Sequence, residues 1–142
     1  DEMKDAFPQD TLLHSVWIPL IQAQLELTRG NGGQAVQLLE STRKYEVYAD
    51  YWPQYVRAQA YAKQGNGPQA ANEFRYILDH RGWHPLSPLY ALARLGYARA
   101  SEQSGNTAEA RKAYQDFFDL WKNADATLPF IAEARREYDK LK

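Results

Sequence analysis

The chain has no cysteine among its 142 residues. Disulfides, thiolate nucleophiles and zinc–thiolate sites are therefore excluded together, although this absence assigns no compartment and leaves both sides of a membrane open. An excess of charge is also missing: 17 basic residues stand against 18 acidic ones, and no basic run exceeds the Arg135-Arg136 pair. Without a field of one sign, nucleic acid and anionic membrane surfaces drop out as partners. The longest apolar run, Val16-Trp17-Ile18-Pro19-Leu20-Ile21, is far too short to span a bilayer, so no direct membrane insertion is expected. Gly-rich phosphate loops, G-x-S-x-G elbows and kinase signatures are lacking, and nothing calls for a cofactor. What remains, 44% hydrophobic and 25% charged, is ordinary for one soluble globular domain. The chain opens at Asp1 with neither a Met nor a signal-peptide pattern, which reads as a piece of a longer protein.

Against these absences stands a Gly-Asn pair that returns three times, at Gly30-Asn31, Gly65-Asn66 and Gly105-Asn106. A small residue precedes each pair (Ala23, Ala58, Ala98), and another follows five after each Gly (Ala35, Ala70, Ala110). Nine past each Gly stands a large side chain (Leu39, Phe74, Tyr114), and three further on Thr42, Ile77 and Phe117. The glycines are 35 and 40 residues apart, the range in which self-similarity signals a solenoid of helical hairpins. Glycine takes the left-handed conformation that ends a helix, and Asn tolerates the turn that follows. Alanines on both sides let two helices approach closely, while the large residue fills the space between hairpins.

The helical periods predict seven helices and no strand. Residues 1–9 read as a leader and 10–142 as a single domain, with repeats over about 11–45, 50–80 and 87–122 and a capping helix over about 128–141. Asp10 or Thr11 caps the first helix, which runs to about Arg29; Pro19 inside it should kink it or mark a tighter opening turn. The second helix runs from about Gly33 to Lys44. Pro53, Pro68 and Pro88 suit first turns of the third, fourth and fifth. Thr107 opens the sixth and Thr127, with Pro129, the seventh, whose Ile131, Ala134, Tyr138 and Leu141 form one apolar stripe. His80 to Leu86, with its flanks, holds the five residues that lengthen the second spacing.

This register resembles the tetratricopeptide repeat. Ala58, Tyr61, Gly65, Ala70, Phe74 and Ile77 match its pattern in the second repeat; Glu26 and Ser101 replace the usual aromatic in the first and third, and Pro19, Gln54 and Arg94 its usual Trp. The resemblance implies an all-α fold, a right-handed superhelix of three helix-turn-helix repeats plus a C-terminal capping helix. It also implies a concave groove lined by the first helix of each hairpin. At the matching positions stand Trp17, Leu20, Ile21 and Gln24, then Trp52, Tyr55, Val56 and Gln59, then Leu92, Leu95, Gly96 and Arg99. Aromatic and aliphatic groups with interspersed amides suit an apolar segment of a protein or peptide partner. Trp17 and Trp52 have a second placement open to them, as plugs between repeats. Leu20 and Gln24 stand where chaperone-tail receptors carry Lys and Asn, which excludes that use of the fold.

Enzyme chemistry has little to stand on. His80 and His84 form an H-x-x-x-H pair beside Asp79, but Gly82 and Pro85 break the helical turn that a zinc pair needs. His14 stands alone on the first helix. The run from Ser87 to Trp121, notably Ser104-Gly105-Asn106-Thr107-Ala108-Glu109-Ala110-Arg111, is similar to C-terminal repeat segments of some bacterial serine/threonine protein kinases. That likeness implies a non-catalytic interaction module of a larger signalling or regulatory protein. The rival expectation is a structural module that self-associates, as a homodimer, through its aromatic strip.

Overall fold

The three Gly-Asn pairs are corners of the same construction. In the computed structural model, which describes residues 5–125 and 127–141, Gly30, Gly65 and Gly105 have φ of 88°, 75° and 77°. Each glycine N–H donates to the carbonyl three residues back, and each Asn N–H to the carbonyl five back (Glu26, Tyr61, Ser101) at 2.8–2.9 Å. These two bonds absorb the carbonyls orphaned at a helix end. The same Asn then starts the next helix, its carbonyl accepting from Ala35, Ala70 or Ala110. One dipeptide thus closes one helix and opens its neighbour.

The helices so joined are α1 (Ile18–Thr28) and α2 (Gly32–Leu39), α3 (Trp52–Lys63) and α4 (Gly67–Asp79), α5 (Pro88–Gln103) and α6 (Thr107–Leu120). A seventh, α7 (Pro129–Lys140), follows, and no strand occurs among the described residues. All twelve repeat-register side chains, from Ala23 to Phe117, are at most 3% exposed. Six of them are alanines because the two helices of a hairpin meet there, and a longer side chain would hold them apart. Neighbouring hairpins close up through Gly32 and Gly67. A Cβ on Gly32 would lie 2.9 Å from the Ala60 carbonyl, and one on Gly67 2.6 Å from Ser104 Oγ. The odd-numbered helices touch in sequence, α1 to α3 and α3 to α5, whereas no comparable contact joins α2 to α4 or α4 to α6. The even-numbered helices are therefore splayed farther apart than the odd-numbered ones. Ile131 and Ala134 of α7 close the apolar cluster of the last two hairpins.

Three local features differ from the expectations and one agrees. Asp10 does cap the first helix, its carboxylate accepting from the Leu13 N–H at 2.9 Å. Pro19, however, is preceded by a wider turn rather than a tighter one: Leu13–Trp17 is π-helical. Pro19 offers no N–H, and widening the preceding turn carries its ring clear of the Ser15 carbonyl. The second helix does not run as an α-helix to Lys44; at Glu40 it tightens into a 3-10 helix that continues to Tyr48. Thr127 does not cap α7, because its hydroxyl and N–H both turn back to Asp125 Oδ1, at 2.7 and 2.8 Å. Of the leader over 1–9, residues 1–4 lie outside the described residues.

The five-residue insertion is a fixed loop. Tyr51, left-handed at φ 63° and fully buried, donates from its hydroxyl to the His80 carbonyl at 2.5 Å and accepts the His84 N–H at 3.1 Å.

Candidate functional site

Helical spacing puts Tyr55, Gln59 and Lys63 on one face of α3, and Leu92, Leu95, Gly96 and Arg99 on one face of α5. Because α3 and α5 are neighbours, these faces converge. Together with Phe74 of α4 and Phe130 of α7 they line an open hollow of about 450 Å³. Its floor is apolar. The Phe74 ring lies edge-on to Tyr55, with centroids 5.6 Å apart, and it reaches α5 only because residue 96 is glycine. A Cβ there would stand 2.4 Å from Phe74 Cζ. This mid-helix glycine costs about 1 kcal/mol of helix propensity, and what it allows is the seating of that ring.

The rim is polar and unevenly satisfied. Arg99 donates to both carboxylate oxygens of Glu137, at 2.9 and 3.0 Å, and to Glu133 at 3.4 Å. Burial works against the Arg99 charge, but the bonds and charge of Glu137 outweigh it and hold the guanidinium above its usual pKa. Burial pushes the Tyr55 phenol up. Gln59 and Lys63 are exposed, and among the described residues neither side chain has a hydrogen-bond or ion-pair partner.

Of the twelve groove residues expected from the sequence, the hollow brings together six: Tyr55, Gln59, Leu92, Leu95, Gly96 and Arg99. The other six lie elsewhere. Leu20 and Val56 are core residues of the first hairpin and α3, 8% and 2% exposed, so they pack rather than line a surface. Trp17 is half-buried against that same cluster. Gln24 is exposed, Ile21 is 50% exposed on α1, and Trp52 is 42% exposed at the start of α3, so none of them is a buried plug. Four lining side chains were missed: Phe74, assigned to the core; Ala62 and Lys63, outside the groove positions; and Phe130, on the closing helix. Gly96 was the available signal, since a glycine inside a helix marks close approach by something else.

Two other clusters are structural. Arg57, only 1% exposed, donates to both oxygens of Glu73 (2.7 and 2.9 Å) and to Glu46 (2.7 Å). Burial opposes this guanidinium's charge, and Glu73 and Glu46 overcome it and raise its pKa. The bridge ties the 3-10 segment to α3 and α4. His80 Nδ1 stands 2.7 Å from the Tyr76 carbonyl and His84 Nε2 2.9 Å from the Val47 carbonyl. A ring nitrogen facing a carbonyl carries the proton, so these bonds orient the two rings and leave His80 Nε2 and His84 Nδ1 as their other nitrogens. No group of three or more His, Asp or Glu able to hold a metal occurs among the described residues. No helix among them is long and apolar enough to cross a membrane.

The chain matches no family model, no curated protein and no solved structure.

Proposed function

We propose that this chain is a tetratricopeptide-like solenoid that binds a peptide segment of a partner protein in the hollow between α3, α5 and α7, without catalysis. One observation carries the reading: side chains from two different hairpins and the closing helix converge on one open, apolar-floored recess with a polar rim. Its volume of about 450 Å³ suits one or two large apolar side chains, within the range of recesses that hold small ligands. Rigid rings on helices, such as Tyr55, Phe74 and Phe130, offer contact area with little rotamer entropy left to lose. The splayed even-numbered helices support a superhelix with the odd-numbered helices inside, the side on which tetratricopeptide repeats hold their partners.

The test is selection from a random-peptide display library on the whole chain, followed by mapping of a selected peptide through amide shifts. Shifts centred on Gln59, Gly96 and Arg99 are expected. Selected peptides that shift only residues elsewhere, or a library that yields none, would overturn the reading.

A second reading rests on Ile21 and Leu25, 50% and 51% exposed one turn apart on α1. Two such faces from two copies would bury each other, making the module self-associating. Sedimentation over a hundredfold concentration range distinguishes the two, since a peptide receptor stays monomeric.

A further inference from the structure

Resting on the peptide-groove reading, we infer that the partner segment is acidic as well as apolar: a large apolar side chain seated in the hollow, with a carboxylate beside it that pairs with Lys63. Two cations edge the recess, and they are not equivalent. Arg99 spends its donors on Glu137 and Glu133 of α7, so its charge is already answered within the fold. Lys63, one turn beyond Gln59 on α3, has no acidic group within ion-pair distance among the described residues. The unpaired charge at the rim is therefore the Lys63 ammonium on the α3 side, while the two carboxylates gathered on Arg99 lie toward α7. An apolar anchor with a neutral or basic neighbour would leave that charge unanswered or opposed, and like-charge juxtaposition is how recognition surfaces reject partners. Gln59, between the apolar floor and Lys63, has a free amide placed to bond the partner's backbone.

Because Lys63 is exposed, its contribution is selectivity rather than bulk affinity. An exposed pair of this kind corresponds to about a two- to fivefold preference, screened out in high salt. The test uses two synthetic probes in one Gly-Ser frame, a central Phe flanked by Asp on each side and its counterpart flanked by Lys. Both are titrated by NMR into the whole labelled chain and into Lys63→Glu. The acidic probe should bind two- to fivefold tighter to the parent chain, with the Gly96 amide shifting, and Lys63→Glu should reverse the order. Equal affinities, or an order unchanged by Lys63→Glu, would overturn the acidic preference while leaving the peptide groove standing. If neither probe shifts Gly96 or Gln59 in either protein, the groove reading falls with it.

Discussion

Replacing Arg57 by Met removes a guanidinium and leaves two carboxylates behind. In the parent chain Arg57 spans Glu73 and Glu46 with bonds of 2.7–2.9 Å and is 1% exposed, and the Glu46 and Glu73 side chains are 9% and 12% exposed. Breaking such a buried pair from one side costs about 3–5 kcal/mol, because a charge remains in a dry place with nothing to answer it. Glu73 would still have Arg43, at 3.6 Å, which puts the expected loss at the lower end, about 3 kcal/mol. Urea unfolding followed by the helical signal measures this directly, and the midpoint of thermal unfolding should fall by about 6–12 °C. Replacing all three residues by apolar ones (Arg57→Met, Glu46→Leu, Glu73→Leu) should return stability to within about 1 kcal/mol of the parent. A single-variant loss below about 1 kcal/mol, or a triple variant no better than the single one, would refute this account of the cluster.

Gly67→Ala and Gly33→Ala separate stacking from propensity: the first would drive a Cβ to 2.6 Å from Ser104 Oγ and should cost about 1–3 kcal/mol, whereas the second meets only Gln64 Oε1 at 3.9 Å and should be neutral or stabilising by up to about 1 kcal/mol; chemical denaturation of both reads the difference. Trp52→Ala should lower stability by no more than about 1.5 kcal/mol, because the ring is 42% exposed, and leave peptide binding unchanged; Tyr55→Ala should weaken a selected peptide by about 2 kcal/mol, read by titration calorimetry. The Tyr114 phenol is pushed up by burial and then by Glu137, to which it donates at 3.0 Å. A raised pKa gives stability that is full below the unfolded-state value near 10 and lost as pH climbs above it, so Tyr114→Phe should show a shallower stability loss between about pH 10 and 12 than the parent.

The repeat was legible because its cause is local. A Gly-Asn corner and a small residue at each helix contact leave marks at fixed spacing, and all twelve marked side chains are buried. The hollow was legible only in part. Tyr55, Gln59, Leu92, Leu95 and Arg99 converge where α3 meets α5 and α7 closes over them, whereas of the equivalent positions of α1, Leu20 is taken up in the core and Ile21 faces open solvent. Phe130 was out of reach because its place in the hollow depends on how α7 docks, which no repeat spacing encodes. The Arg57 bridge was also hidden. Glu46 is brought to Arg57 by the tightening of the second helix into a 3-10 turn, and Glu73 lies 16 residues away on α4. Pairing across that distance leaves no periodic trace.

The central claim is that a partner's apolar side chain enters the hollow between α3, α5 and α7. Isotope-filtered NMR on the labelled chain with a display-selected peptide tests it, by asking which protein protons lie within contact distance of the peptide's own side chains. Contacts from the peptide's apolar residue to the Leu92 and Leu95 methyls and to the Phe74 and Phe130 rings are the predicted result. Contacts confined to Ile21 and Leu25 of α1, or to the loop around Trp83, would contradict it.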